Sequence, residues 1–132
     1  MTDFSFLTDD NLVEALLMEV AGLLRGLIDR DEGGSIDLRG LPLSPSCIET
    51  LDRCLGQGEI SVVLDAAGRS DIRETSLPGV WWTKHADGAG RVIALLIEVA
   101  VTPAILRADV ADMKRGLDRM PALLAKTTGR TS

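Results

Sequence analysis

The run VWWTKHADGAGRVIALLIEVAV, residues 80–101, decides the fold that the sequence predicts. Its second half, residues 91–101, is apolar at every position except Arg91 and Glu98, which is typical of a central strand buried on both faces. The segment before it, residues 87–90 (DGAG), has the residue types of a hairpin turn. We therefore expect residues 80–84 to form an adjacent antiparallel strand.

Three more segments on the N-terminal side of this hairpin have strand character. Residues 58–65 alternate apolar and polar side chains, as a half-exposed strand does, and residues 70–76 form a more polar strand. Residues 35–38 fit either a short strand or an extended approach.

Helices are predicted at both ends of the chain. Apolar residues recur at helical spacing over residues 8–28, where Thr8 or Asp9 can cap the helix, and over residues 103–126, where Pro121 should end or kink it. A second helix follows Ser44 as N-cap and ends at Gly56. The order of elements predicts an α+β fold, an antiparallel sheet of about four strands with two or three helices packed mainly on one face.

Composition limits the possible partners and location. The 132-residue chain has the length of one domain, and its formal net charge of −6 without a Lys/Arg cluster argues against binding nucleic acid. No apolar run is long enough to cross a membrane and no signal-peptide pattern opens the chain, so we expect a cytoplasmic protein that does not bind membranes.

Residues for catalysis, metal or cofactor binding are sparse. Cys47 and Cys54 are seven positions apart in one predicted helix, about 10 Å along its axis, which is too far for a disulfide. The single histidine, His85, precedes a Gly-rich turn, and we interpret it as a solvated turn residue. We expect no catalytic residues, no metal and no cofactor.

Glu98 is a carboxylate within an apolar strand and needs a polar partner or an open face. A cross-strand ion pair with Arg73 or Arg91 is the simplest explanation, and a binding role is the alternative. Glu74 could also meet Glu98 across the strands, but the register is not set by the sequence.

Trp81 and Trp82 are the only tryptophans in the chain. Because neighbouring side chains of a strand point to opposite faces, one ring is expected in the core and the other on the second face of the sheet. The second ring either packs beneath a neighbouring element or serves as an exposed contact for a protein partner.

Several segments together resemble the C-terminal region of the HupH/HyaF hydrogenase expression proteins. The matching blocks lie within residues 36–106: IDL at 36–38, LPLSP at 41–45, LD at 51–52, LGQGEIS at 55–61, RET at 73–75, GVW at 79–81 and IEV at 97–99 with Pro103. In this resemblance Trp81 matches the tryptophan of the family and is the expected core anchor. Trp82 stands where the family tends to have a polar residue, so we expect it to face the open side or the next strand.

We expect one such domain over residues 1–126, followed by a disordered tail at residues 127–132. The resemblance implies a non-enzymatic accessory factor in the maturation of nickel-iron uptake hydrogenase, which binds a hydrogenase subunit precursor or another accessory protein. The candidate partner-binding residues are Arg73, Glu74, Trp81, Trp82 and Glu98. The alternative is a ligand-binding or enzymatic module with a pocket around Arg73, Glu74 and Glu98. A homodimer is possible.

Overall fold

A computed structural model describes residues 9–129 of the chain. Its elements, in order, are α1 (Asp9–Arg30), β1 (Gly34–Asp37), a 3-10 turn (Leu38–Gly40), α2 (Pro45–Leu55), β2 (Ser61–Asp65), β3 (Arg69–Glu74), β4 (Val80–Ala86), β5 (Val92–Val99), a second 3-10 turn (Ala104–Leu106) and α3 (Val110–Thr127). The predicted α+β class is confirmed. The sheet has five strands rather than about four, because residues 35–38, which fitted either a short strand or an extended approach, contribute to strand β1.

The sheet is antiparallel throughout, with the strand order β1-β5-β4-β3-β2. Strands β2 to β5 follow one another as hairpins, and β1 joins the outer edge of β5. The hairpin predicted from residues 80–101 lies at the middle of this sheet, as its apolar composition requires. Both edge strands, β1 and β2, are short.

One face of the sheet, here called the helix-covered face, carries the main core. Side chains of the strands pack there against α1 and α2. The buried members are Val13, Leu16 and Val20 of α1, Cys47, Leu51 and Leu55 of α2, and Ile36, Leu38, Val80, Trp82, Ile97 and Val99. This arrangement, with α1 and α2 on one face, agrees with the prediction of two or three helices packed mainly on one face.

The other face, here called the opposite face, follows from the register of the strands. Glu74, Trp81 and Glu98 are aligned across β3, β4 and β5, and Ile72, Thr83 and Leu96 form the next aligned row. Because side chains alternate along a strand, these residues point away from the main core. Of them, Ile72, Trp81 and Thr83 are buried.

The predicted ends of α2 are confirmed. Ser44 Oγ accepts a hydrogen bond from Cys47 N–H at 3.0 Å, Pro45 occupies the first turn, and Gly56 follows the helix with a positive φ of 68°. Cys47 and Cys54 both lie on α2 and form no disulfide. The predicted cap of α1 at Thr8 or Asp9 lies outside the residues whose side chains are described.

The turn between β4 and β5 is built on Asp87. Its carboxylate accepts hydrogen bonds from the backbone N–H groups of Arg91 and Ala89 at 2.9 Å each and from the Arg91 guanidinium at 3.1 Å. The bond from the Arg91 backbone contributes most to lowering the pKa of Asp87 below its ordinary value. The hairpin turn was predicted correctly, and the Asp87 carboxylate stabilises it by accepting three hydrogen bonds from residues 89 and 91.

Pro121 was predicted to end or kink α3. The helix continues through Pro121 to Thr127, so the proline does not end it. A single proline removes one backbone donor, and the Ala122-Leu123-Leu124-Ala125 segment that follows favours a helix. In addition, none of its residues is buried. The last three residues of the predicted tail lie outside the described range.

Candidate functional site

The structure divides the five predicted site residues between the two faces of the sheet. Arg73 and Trp82 are paired in register and lie on the helix-covered face. Glu74, Trp81 and Glu98 form one row on the opposite face. The five residues therefore do not form one site.

On the helix-covered face, Arg73 joins the sheet to α2. Its guanidinium donates a hydrogen bond to Asp52 Oδ1 at 2.5 Å and lies 5.5 Å from the centre of the Trp82 ring. The Arg73 Nε atom is buried and has no hydrogen-bond partner among the described residues. The guanidinium is thus held over the aromatic ring with one donor left unused.

A groove beside this cluster, here called the Arg73 groove, opens between α2 and the outer strands. Its volume is about 240 Å³, and it is lined by Asp52, Ser61, Asp71, Ile72, Arg73, Trp82 and Lys84. Its lining includes two acidic side chains, Asp52 and Asp71, and two basic ones, Arg73 and Lys84. It ends at β2, which among the described strands pairs only with β3 and forms the edge of the sheet.

On the opposite face, Trp81 and Glu98 hold the chain that leaves β5. The Trp81 Nε1–H donates to the carbonyl of Ala100 at 3.0 Å, and Glu98 Oε2 accepts from the Ala104 N–H at 3.1 Å. Pro103, between these two contacts, is buried. Two of the predicted binding residues therefore fix the path of residues 100–104.

The predicted partners of Glu98 were wrong. Arg73 points to the other face, and Arg91 pairs with Asp87 in the hairpin turn. Glu74 and Glu98 share a face, but Trp81 on β4 lies between them, so they are two strand spacings, about 10 Å, apart. Arg73 lies on the other face from both glutamates, so within residues 9–129 the register does not bring the three side chains to one face of the sheet.

The prediction for the tryptophans was correct in its alternation and wrong in its assignment. Trp82, 7% exposed, belongs to the core under the helices, whereas Trp81, 5% exposed, lies on the opposite face. Trp82 is buried with side chains of α1 and α2, and Trp81 is buried beside Ala100, to which its indole N–H donates. The alternation of side chains does not show which face of the sheet the helices cover. The prediction placed Trp81 on the helix-covered face, whereas Trp82 lies there.

The Gly56-Gln57-Gly58 segment positions the end of β3. Gly58 N–H donates to the Glu74 carbonyl at 2.8 Å, and a Cβ atom at Gly58 would lie 2.6 Å from the Thr75 carbonyl oxygen. Only glycine permits this approach. The segment thus secures the strand that carries Arg73 and Glu74.

His85 lies in β4 and not in the turn as predicted. It is half-buried, and its Nδ1 is 2.6 Å from Ser70 Oγ on β3. Sequence reasoning also missed Asp52, whose role depends on how α2 lies on the sheet. Within residues 9–129, no group of three or more His, Cys, Asp or Glu side chains is placed to hold a metal ion.

None of the helices in the described part of the chain combines the length and apolar character that a membrane span requires.

Comparison with protein families gives a match over residues 12–127 to the model described as "HupH hydrogenase expression protein, C-terminal conserved region". A solved structure, the hydrogenase expression protein HupH from Thiobacillus denitrificans ATCC 25259, is 38% identical in sequence. It superposes with a TM-score of 0.82 over 86% of this chain and 95% of that chain.

Two curated relatives are longer than this chain. The hydrogenase expression/formation protein HoxQ of Azotobacter vinelandii is 36% identical over 69 residues, covering 52% of this chain and 24% of the relative. The protein HupH of Rhizobium leguminosarum bv. viciae is 30% identical over 109 residues, covering 81% of this chain and 38% of the relative. The matched regions thus span about a quarter to two fifths of these relatives.

Proposed function

We propose, from the premise that the chain belongs to the HupH hydrogenase expression protein family, that it is an accessory factor in the expression and maturation of nickel-iron uptake hydrogenase. In this role it binds a hydrogenase subunit precursor or another maturation protein without catalysing a reaction, and it acts in the cytoplasm. The match over residues 12–127 carries this proposal, which also treats the chain as a single HupH C-terminal-like domain.

The surface that we assign to this partner is the free edge of β2 together with the Arg73 groove. An edge strand offers unpaired backbone N–H and C=O groups to an extended segment of another protein. On β2 the Val63 side chain is 51% exposed, so an added strand would gain an apolar contact as well. A precursor that is not yet folded can supply such a segment.

The groove adds polar recognition to this edge. Arg73 Nε is a buried donor without a partner among the described residues, and a buried donor left unpaired destabilises the free protein. A carbonyl or carboxylate of the bound segment can accept this hydrogen bond. Lys84 and Asp71 at the rim then favour a segment of mixed charge.

The test is co-purification from a host that produces hydrogenase. The tagged chain is compared with Val63→Lys, which places a charge on the edge strand, and with Ile93→Lys as a control, because Ile93 is similarly exposed, at 59%, on β5. We expect hydrogenase subunits or maturation proteins with the wild type and with Ile93→Lys, measured by quantitative mass spectrometry. For Val63→Lys we expect a decrease of at least about tenfold.

Two negative results have different meanings. If the wild type retains neither hydrogenase subunits nor maturation proteins, the accessory function is wrong. If all three chains retain the same partner equally, the function stands and the assignment of the β2 edge is wrong.

A further inference from the structure

Helix α3 carries an apolar surface that its own chain leaves exposed. The residues of this surface, Val110, Met113, Leu117, Met120, Leu123 and Leu124, are between 43% and 70% exposed. Their positions form one stripe of the helix that is wider than a strict two-position seam, because Leu123 lies beside Leu124. A stripe of this width is typical of a helix that packs on a sheet.

The opposite face of the sheet has the complementary property. Ile72, Trp81 and Thr83 of its two middle strands are buried, whereas Val62, Leu64, Ala94 and Leu96 on the flanking strands β2 and β5 remain half-buried. Helices α1 and α2 pack on the other side, and α3 is exposed along its length, so no described helix covers this face. The chain therefore has an exposed apolar helix and a sheet face whose flanking apolar side chains are only half-buried.

Charge distinguishes these two surfaces further. Helix α3 has four basic side chains and two acidic ones, so its net charge is +2. Because the net charge of the whole chain is −6, the residues outside α3 have a net charge of −8. The opposite face presents Glu74, Glu98 and Asp37 and has no lysine or arginine in its aligned rows. The helix and the face therefore attract each other.

The dimensions also agree. At 18 residues α3 is about 27 Å long, and the eight residues of β5 extend about 26 Å. One such helix can span the sheet along its strands. The connection to α3 is held in place, because Trp81 and Glu98 bind Ala100 and Ala104, so α3 leaves its own sheet from a fixed point.

We propose that two copies of the chain form a symmetric dimer in which α3 of each copy packs on the opposite face of the other. A twofold axis repeats the contact, so both exposed helices and the half-buried apolar side chains of both opposite faces are buried at once. The basic side chains of α3 then lie near Glu74 and Glu98 of the second copy. This surface includes Val62 and Leu64 of β2 but not the backbone edge of that strand or Val63, which are assigned to the hydrogenase partner, so its test does not depend on that function.

The first measurement is the mass in solution by analytical ultracentrifugation. Leu117→Asp places a charge at the middle of the α3 stripe, and Ile28→Asp on α1 is the matched control, because the two side chains are 70% and 74% exposed. We expect a dimer for the wild type and for Ile28→Asp, and dimerisation at least about tenfold weaker for Leu117→Asp. Circular dichroism checks that each variant is folded.

The second measurement identifies which surfaces meet. In a Cys54→Ser background, which removes the exposed thiol, a tagged Leu117→Cys chain is mixed with an untagged Leu64→Cys chain and treated with a short bismaleimide. Packing of α3 on the sheet of a second copy gives a tagged-to-untagged product.

The proposal is overturned by a wild type that stays monomeric into the millimolar range. It is also overturned by a dimer that Leu117→Asp leaves intact, or by Leu117→Cys chains that link only to each other, since the last result means that α3 pairs with α3.

Discussion

The two faces of the sheet use neighbouring tryptophans for different purposes. On the helix-covered face Trp82 fills space among aliphatic side chains of α1, α2 and the strands. On the opposite face Trp81 uses its indole N–H to bind the Ala100 carbonyl and so holds the chain that leaves β5. The two rings are buried to nearly the same extent. Trp82 stabilises the domain by filling the core, and Trp81 does so through a hydrogen bond to the segment that follows β5.

This difference predicts that Trp82→Ala has the largest effect of any change in the pair. Removing a buried indole from the main core leaves a cavity and exposes Arg73 beneath α2, and we expect the free energy of unfolding to fall by about 3–5 kcal/mol. Chemical denaturation followed by circular dichroism measures it. A loss below about 1 kcal/mol would show that the core collapses around the vacancy and that Trp82 is not central to it.

Most of the fold could be predicted because its signals are local. The apolar run of residues 91–101, the turn at residues 87–90 and the caps at Ser44 and Gly56 each specify an element from adjacent residues. The amphipathic pattern of α3 also predicted a helix correctly, but such a pattern does not show which surface the apolar side of the helix packs against. The structure leaves that stripe exposed.

The site could be predicted only in part, because it depends on relations between distant segments. Alternation separates Trp81 from Trp82, but the face that receives α1 and α2 is a property of the whole chain. The Arg73–Asp52 contact joins residues 21 positions apart, and the contact of Glu98 with Ala104 depends on a turn without a strong sequence signal. The residue types in the sequence singled out Arg73 and Glu98, but their partners, Asp52 and Ala104, follow from how the elements pack.

A smaller effect is expected for Trp81→Phe, which keeps an aromatic ring and removes the indole N–H. The lost hydrogen bond to Ala100 should lower the free energy of unfolding by about 0.5–1.5 kcal/mol. The local consequence is sharper: hydrogen exchange at residues 100–106 should become faster.

Trp82→Phe is the control for this local effect, because Trp82 faces the core. It should leave exchange at residues 100–106 unchanged. Equal acceleration in both variants would mean that the two rings stabilise the same region, and the distinction between the faces would be lost.

The smallest expected change, and the only gain, is for Thr83→Val on the opposite face. Thr83 is 1% exposed, and its Oγ1 atom is buried without a hydrogen-bond partner among the described residues. Valine has nearly the same shape and favours a strand, so removing this unsatisfied hydroxyl should raise the free energy of unfolding by up to about 1 kcal/mol.

Thr75 provides the matched comparison, because it is also 1% exposed but its hydroxyl is fully used. Its Oγ1 donates to the Val80 carbonyl at 2.9 Å and accepts from the Leu77 N–H at 3.2 Å. Thr75→Val should therefore lower the free energy of unfolding by about 1–3 kcal/mol, opposite in sign to Thr83→Val. If Thr83→Val also destabilises the domain, its hydroxyl has a partner in solution, and a buried water molecule would be that partner.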